Sequence, residues 1–182
     1  YEYLKEQLPN AKFVNALDLL DQVTFVKEPG EIKLMQFAAS IADAAQERIR
    51  EELYVGISEM EIAGIGEAEM RRRGSEFHWP VTGANEIASG YRTWYAMGGC
   101  TPPTDKLLQR GESLLVDMHP TYKQYYSDVS HNYIIGHPSS EQQRLADAYL
   151  SAAETLIKSF KAGNTVGQIW NAVNDNVTRS GY

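Results

Sequence analysis

Apolar residues recur along this chain at two spacings, and the change from one to the other divides it into elements. From Pro29 a helical period holds to about Leu53, with Ile32, Met35, Ala39, Ala42, Ala45 and Ile49 on one face. Proline is tolerated in a first helical turn, where its missing N–H has no intrahelical partner to lose. Gly56 then breaks the chain. Ser58-Glu-Met-Glu61 is a capping box, in which the serine hydroxyl and the glutamate three residues on each accept a backbone N–H that the helix leaves unpaired. It opens a second helix that ends at Arg71-Arg-Arg-Gly74, with basic residues at the end the helix dipole favours, and the arginine run reads as a solvated helix end. Strand patterns follow at Phe77 to Val81, at Glu86 to Ser89, and over 113–135, where two apolar strands are joined by a turn at His119 to Lys123. Gly90 to Thr104 reads as a loop rich in aromatic residues, Gly and Pro. Its Gly98-Gly99 pair is a poor phosphate loop, since no Lys-Ser/Thr and no helix start follow. After Pro138 the period is helical again, with capping boxes at Ser139 to Gln142 and Thr165 to Gln168 and with Gly163 closing the helix between them.

Residues 1–26 give a short helix at Tyr1 to Leu8, a Pro9-Asn10 turn, a brief strand at Lys12 to Asn15 and a helix at Ala16 to Gln22. That is too little for a domain, and it reads as the tail of one or as a linker; a chain that opens on Tyr1 is expected to have lost or processed its true N-terminus. The order of helix, helix, strands, helix, helix is that of an α+β fold whose last two helices begin a second unit without strands.

The hairpin holds the candidate chemistry. If it is symmetric about the Tyr122–Lys123 bond, residues whose numbers add to 245 stand opposite each other, as those of Asp117 and Asp128 do. Directly opposed side chains in an antiparallel pair have Cβ atoms roughly 4.5–5.5 Å apart, and like charges there destabilise the sheet. A divalent cation between the two carboxylates would turn that repulsion into coordination. The competing reading is a register one residue away, which would put the two on opposite faces.

Composition narrows the partners. A chain of 182 residues with 43% hydrophobic and 23% charged residues is long enough for one domain with a proper core. Its net charge of −7 argues against nucleic acid or an anionic membrane, both of which reward Lys and Arg, and favours small molecules or peptides. The one cysteine, Cys100, excludes an intrachain disulfide and fits a reducing, cytoplasmic setting, though it fits a bacterial secreted protein nearly as well. No apolar run approaches membrane-spanning length, and no basic-then-apolar leader opens the chain.

Four stretches together resemble the pita-bread metallopeptidases, the family of methionine aminopeptidase, aminopeptidase P, prolidase and the non-peptidase creatinase. Val26-Lys-Glu-Pro-Gly-Glu-Ile32 is similar to the lead-in to the first catalytic helix, and Gly56-Ile-Ser-Glu59 to that of the second. Ile87-Ala-Ser-Gly90 with Asp105 to Glu112 resembles the substrate-side strand and the step into the hairpin. Val116 to Val129 resembles the metal hairpin, Asp-x10-Asp ending as Tyr-x-Ser-Asp and a β-branched residue. The likeness implies a pita-bread fold, an antiparallel curved sheet with flanking helices, with its second half incomplete. It covers residues 24–182 as the N-terminal part of the catalytic domain and leaves 1–23 as the tail of a preceding domain. The nearest branch is that of prolidase and aminopeptidase P.

Carried over, the likeness makes Asp117 the bidentate ligand of one metal and Asp128 the bridge between two. The family's other ligands, one His and two Glu, come later, and no His follows His137 here, so this sequence holds two fifths of the site. Two divalent ions are implied, Mn, Co or Zn, and oxygen-rich ligation suits Mn better than Zn. The reaction implied is hydrolysis of the bond before proline, by a full-length protein that is a homodimer, with this chain alone inactive. Three departures stand out. Peptidase members carry a His on the loop that here spans Thr93 to Pro103, but no His occurs between His78 and His119, and Gly99 or Cys100 takes the place. The family's usual Gly two residues after the first Asp is His119, and its Thr-Arg-Thr after the second is Ser130-His131-Asn132. His119 falls on the Asp face and either reaches a metal or substrate or caps the hairpin. Trp94 and Tyr95 either line a substrate pocket or pack in the core. The alternatives are a creatinase-like hydrolase of a small non-peptide substrate, favoured by the missing loop His, and a non-catalytic binding module, against which the paired aspartates argue.

Overall fold

The computed structural model describes residues 1–76, 85–96 and 101–182, with backbone alone at 95 and 96. Its elements are helices α1 (Glu2–Gln7), α2 (Leu17–Thr24), α3 (Pro29–Glu52) and α4 (Glu59–Arg72), strand β1 (Glu86–Ser89), the single-turn helix α5 (Thr93–Ala96), strands β2 (Ser113–Met118), β3 (Thr121–Tyr122), β4 (Tyr125–Tyr126) and β5 (Val129–Ile134), and helices α6 (Ser140–Ser159) and α7 (Val166–Arg179). The strand expected at Lys12 to Asn15 is irregular chain, whereas the one expected at Phe77 to Val81 lies outside the described residues.

Three strands form an antiparallel sheet in the order β1-β2-β5, and β3 with β4 forms the tip of the long hairpin. Alternation along β2 sets its two faces: Leu114, Val116 and Met118 are buried, and Ser113, Leu115 and Asp117 point the other way. Against the buried face pack Ile41, Ala45 and Ile49 of α3 and Ile62, Ala63 and Met70 of α4, joined by Ile87 of β1. The helices approach closely where Gly66 sits. A Cβ there would stand 2.7 Å from Met118 Cε and 2.8 Å from Ile49 Cδ1, so the absent side chain makes room for the residue next to Asp117.

The inward face of α3 is rotated from the one its apolar spacing suggests. Ala38, Ile41, Ala42, Ala45, Gln46 and Ile49 are buried, while Ile32 and Met35 are exposed. The reason is reach. The first turns of α3 meet the hairpin tip, through Phe37 on Tyr122 (ring centroids 4.4 Å apart) and the Tyr125 hydroxyl donating to Glu31 Oε1 at 2.8 Å. Farther along, buried Gln46 donates through Nε2 to the carbonyls of Val116 (2.9 Å) and Val129 (3.0 Å), pinning both arms of the hairpin to the helix. The capping boxes at Ser58, Ser139 and Thr165 form as the sequence indicates. Gly163, at φ +95°, turns the chain after α6 has already ended at Ser159. Among the described residues no helix is long and apolar enough to cross a membrane.

Candidate metal centre

The hairpin turns one residue later than its sequence suggests, which moves each residue's partner by two. Pairing runs Ser113 with Ile134 through Met118 with Val129, and Tyr122 with Tyr125, so opposed residues add to 247 rather than 245. The reversal is a two-residue turn at Lys123 and Gln124, both with positive φ (48° and 70°), the backbone of a type I′ turn that matches the twist of its strands. Neither residue advertises it, because Asn and Gly are the usual occupants of such a turn. A shift of two keeps every side chain on its own face. Asp117 therefore stands opposite Ser130, and the same count carried across the break in the ladder sets His119 opposite Asp128.

Asp117, His119 and Asp128 converge, each offering one ligand atom within 4.8 Å of the others. His119 Nε2 lies 3.3 Å from Asp117 Oδ2 and 3.5 Å from Asp128 Oδ1. The imidazole is buried, Asp117 largely so, and Asp128 opens to solvent with its side chain 62% exposed. The His119 backbone N–H donates to Oδ1 of buried Asn85 at 3.2 Å, which fixes the chain where it leaves β2. Glu86, on β1, is paired with Asp117 in the ladder and adds a third carboxylate beside the group. Nothing in the sequence pattern singled out Asn85 or Glu86; the signal available was only their position at the start of a strand next to β2.

Each titratable group answers to the others. Burial pushes the Asp117 carboxyl up, but hydrogen bonds from His119 and Ser130 and the His119 charge outweigh it and hold the group below the usual Asp range. Burial raises Asp128, and the Asp117 charge raises it further against the pull of His119. His119 is raised above the ordinary imidazole value by its contact with Asp117, against burial, with Asp128 and Glu86 adding to the field. One ionised carboxylate, one reluctant carboxylate and one cation-prone ring thus share a small space.

Whether these residues suit a metal ion is tested by Asp117 Oδ1, which is buried and has no hydrogen-bond partner among the described residues. A buried carboxylate oxygen without a partner costs free energy, and a divalent cation accepts such an oxygen as a ligand. The donor set fits. Trp94 stands 78% exposed on α5 and makes no hydrogen bond or ring contact with this group among the described residues. The Tyr95 side chain and the loop positions Gly99 and Cys100 lie outside them. A second buried carboxylate, Glu59, serves the scaffold: it accepts from Ser89 N (2.7 Å), Thr104 Oγ1 (2.8 Å) and Arg92 Nε (3.0 Å), tying α4 to β1 and to the chain that leads into β2.

Comparison with known proteins places this geometry. Residues 33–182 match the model of metallopeptidase family M24. The chain is 28% identical over 181 residues to an Xaa-Pro dipeptidase of Pyrococcus horikoshii, covering all of this chain and 50% of that protein. An ectoine hydrolase of Halomonas elongata is 26% identical over 195 residues, with 100% of this chain and 46% of that protein covered. Among solved structures, an X-Pro aminopeptidase of Thermotoga maritima superposes with a TM-score of 0.85 at 28% identity, over 100% of this chain and 50% of that one. The chain spans about half the length of the curated relatives it matches.

Proposed function

The chain belongs to metallopeptidase family M24 and has its pita-bread fold, and from that premise we propose that it carries the N-terminal part of the catalytic domain of a metal-dependent hydrolase that cleaves the bond before proline. Residues 24–182 are assigned to the catalytic domain and residues 1–23 to the end of a preceding one. Asp117 and Asp128 are assigned as ligands of two divalent cations, Mn, Co or Zn. The observation that carries this reading is the convergence of the two carboxylates on one open face of the hairpin, with Asp117 Oδ1 buried and without a hydrogen-bond partner among the described residues. Bound there, divalent cations would supply Lewis acidity and a more acidic water. The chain's own part is to fix the ligand positions. Gln46 locks the two arms, Asn85 anchors the backbone at His119, and Gly66 lets Met118 seat behind Asp117.

A second reading, hydrolysis of a small non-peptide substrate, draws support from the absence of any His between His78 and His119 and from the likeness to an ectoine hydrolase. Both are separated by assaying the complete, metal-loaded protein. Hydrolysis of Ala-Pro is the expected result, and Asp128→Asn is expected to reduce it to background, because one anion is then lost to both ions. Wild-type turnover by that variant would overturn the ligand assignment. A loaded wild type inert toward Xaa-Pro peptides but active on a cyclic or small amide would select the second reading, and inertness toward both would select a binding module.

A further inference from the structure

We propose that His119 is itself a metal ligand, so that Asp117, His119 and Asp128 form a three-donor site for one nitrogen-accepting divalent cation within a single hairpin. The inference rests on the reading of the two aspartates as ligands and adds a donor that the Asp-x10-Asp pattern does not contain.

Three observations carry it. First, the contacts of Nε2 with the two carboxylate oxygens are long for N–H···O hydrogen bonds, 3.3 and 3.5 Å against the usual range of about 2.7–3.2 Å. They suit a shared ion better. Two donors about 2.1 Å from one cation and subtending a tetrahedral angle stand roughly 3.4 Å apart. Second, the hairpin register sets His119 two residues from Asp117 and opposite Asp128, so backbone pairing rather than a chance rotamer brings the ring to the carboxylates. Third, the residue is 6% exposed and its Nδ1 has no hydrogen-bond partner among the described residues. A histidine that merely capped the turn would spend a ring nitrogen on the backbone. Here the backbone contact is made by the main-chain N–H to Asn85 instead, leaving Nε2 to the carboxylates.

The consequence is a change of metal. Two carboxylates alone favour a hard, oxygen-loving ion, whereas an added imidazole moves the preference toward Zn2+ and Co2+. Calorimetric titration of the 182-residue chain with Zn2+ and with Mn2+, together with imidazole 15N spectra in the Zn2+ titration, tests this. One Zn2+ per chain should bind at least ~10-fold more tightly than Mn2+, with the His119 ring nitrogen resonance displaced in step with occupancy. His119→Phe, which keeps a buried ring and removes the donor, should lower Zn2+ affinity at least ~10-fold. Zn2+ binding that leaves the His119 resonance unmoved, or equal binding by His119→Phe, would overturn the proposal while the aspartate ligands stand. If Asp117→Asn and Asp128→Asn also bind Zn2+ like the wild type, the underlying ligand reading falls with it. The spectra of the wild type decide the matter even if the variant fails to fold.

Discussion

Lys123 and Gln124 reverse the hairpin in a backbone region that side chains with a Cβ enter at a cost of about 1–2 kcal/mol each. Replacing them by Asn and Gly should relieve that strain. After allowing for the extra freedom glycine gives the unfolded chain, a gain of about 1 kcal/mol is expected, read as a higher urea midpoint with an unchanged slope. An unchanged or lower midpoint would show that Tyr122 and its packing on Phe37 hold the turn regardless of its composition. These two residues also explain what the sequence did and did not reveal. Asp117 and Asp128 were legible as a pair because a register error of two leaves every side chain on its own face. The opposition of His119 to Asp128 was not legible, because it depends on where the turn falls and the turn lacks the residues that mark one.

Helix α3 positions the hairpin through three polar ties along its length: Glu31 near its start, Gln46 in its third quarter, and the Gln46 carbonyl, which accepts from Tyr133 at 3.2 Å. Apolar spacing located the helix to within a residue, yet it could not rank the polar positions inside it, since a buried glutamine and a surface one look alike until their partners are known. The Glu31 carboxylate is held below the usual Glu range by the Glu28 backbone N–H and then by the Tyr125 hydroxyl. A lowered carboxylate contributes stability that is present above the ordinary Glu value, near 4.3, and is lost as pH falls through the lowered one. The Tyr125 ring resonances should therefore titrate with a midpoint below that ordinary value. Tyr125→Phe at neutral pH should reproduce the acid-state shifts of the neighbouring tip residues. A midpoint at the ordinary value would mean that the contact does not persist in solution.

Across the whole molecule, burial is uneven. The α3–α4–sheet body has a continuous core, while α6 and α7 pack mainly on each other, and among their described residues only Ala148 and Ala152 are buried. Ile157, Phe160 and Trp170 are about three-quarters to two-thirds exposed, at 74%, 76% and 68%. Apolar side chains in such number on one helical pair favour association. The 182-residue chain is therefore expected to sediment as dimers or larger species at micromolar concentration, and Ile157→Glu with Phe160→Glu to shift it toward monomer. A wild type monomeric at high micromolar concentration would contradict this. The capping boxes made both helices legible; what covers their apolar faces was not, since among the described residues none does so.

The burial alternation of β2 has a consequence for how this hairpin tolerates change in length. Its arms have, in effect, a reading frame of two. Slipping the β2 arm by one would expel Leu114, Val116 and Met118 into water and drive Asp117 into the space beside Gly66. Single-residue insertions in that arm must accordingly bulge out rather than propagate, and the chemistry on one side of the ribbon is proofread by the hydrophobic packing on the other.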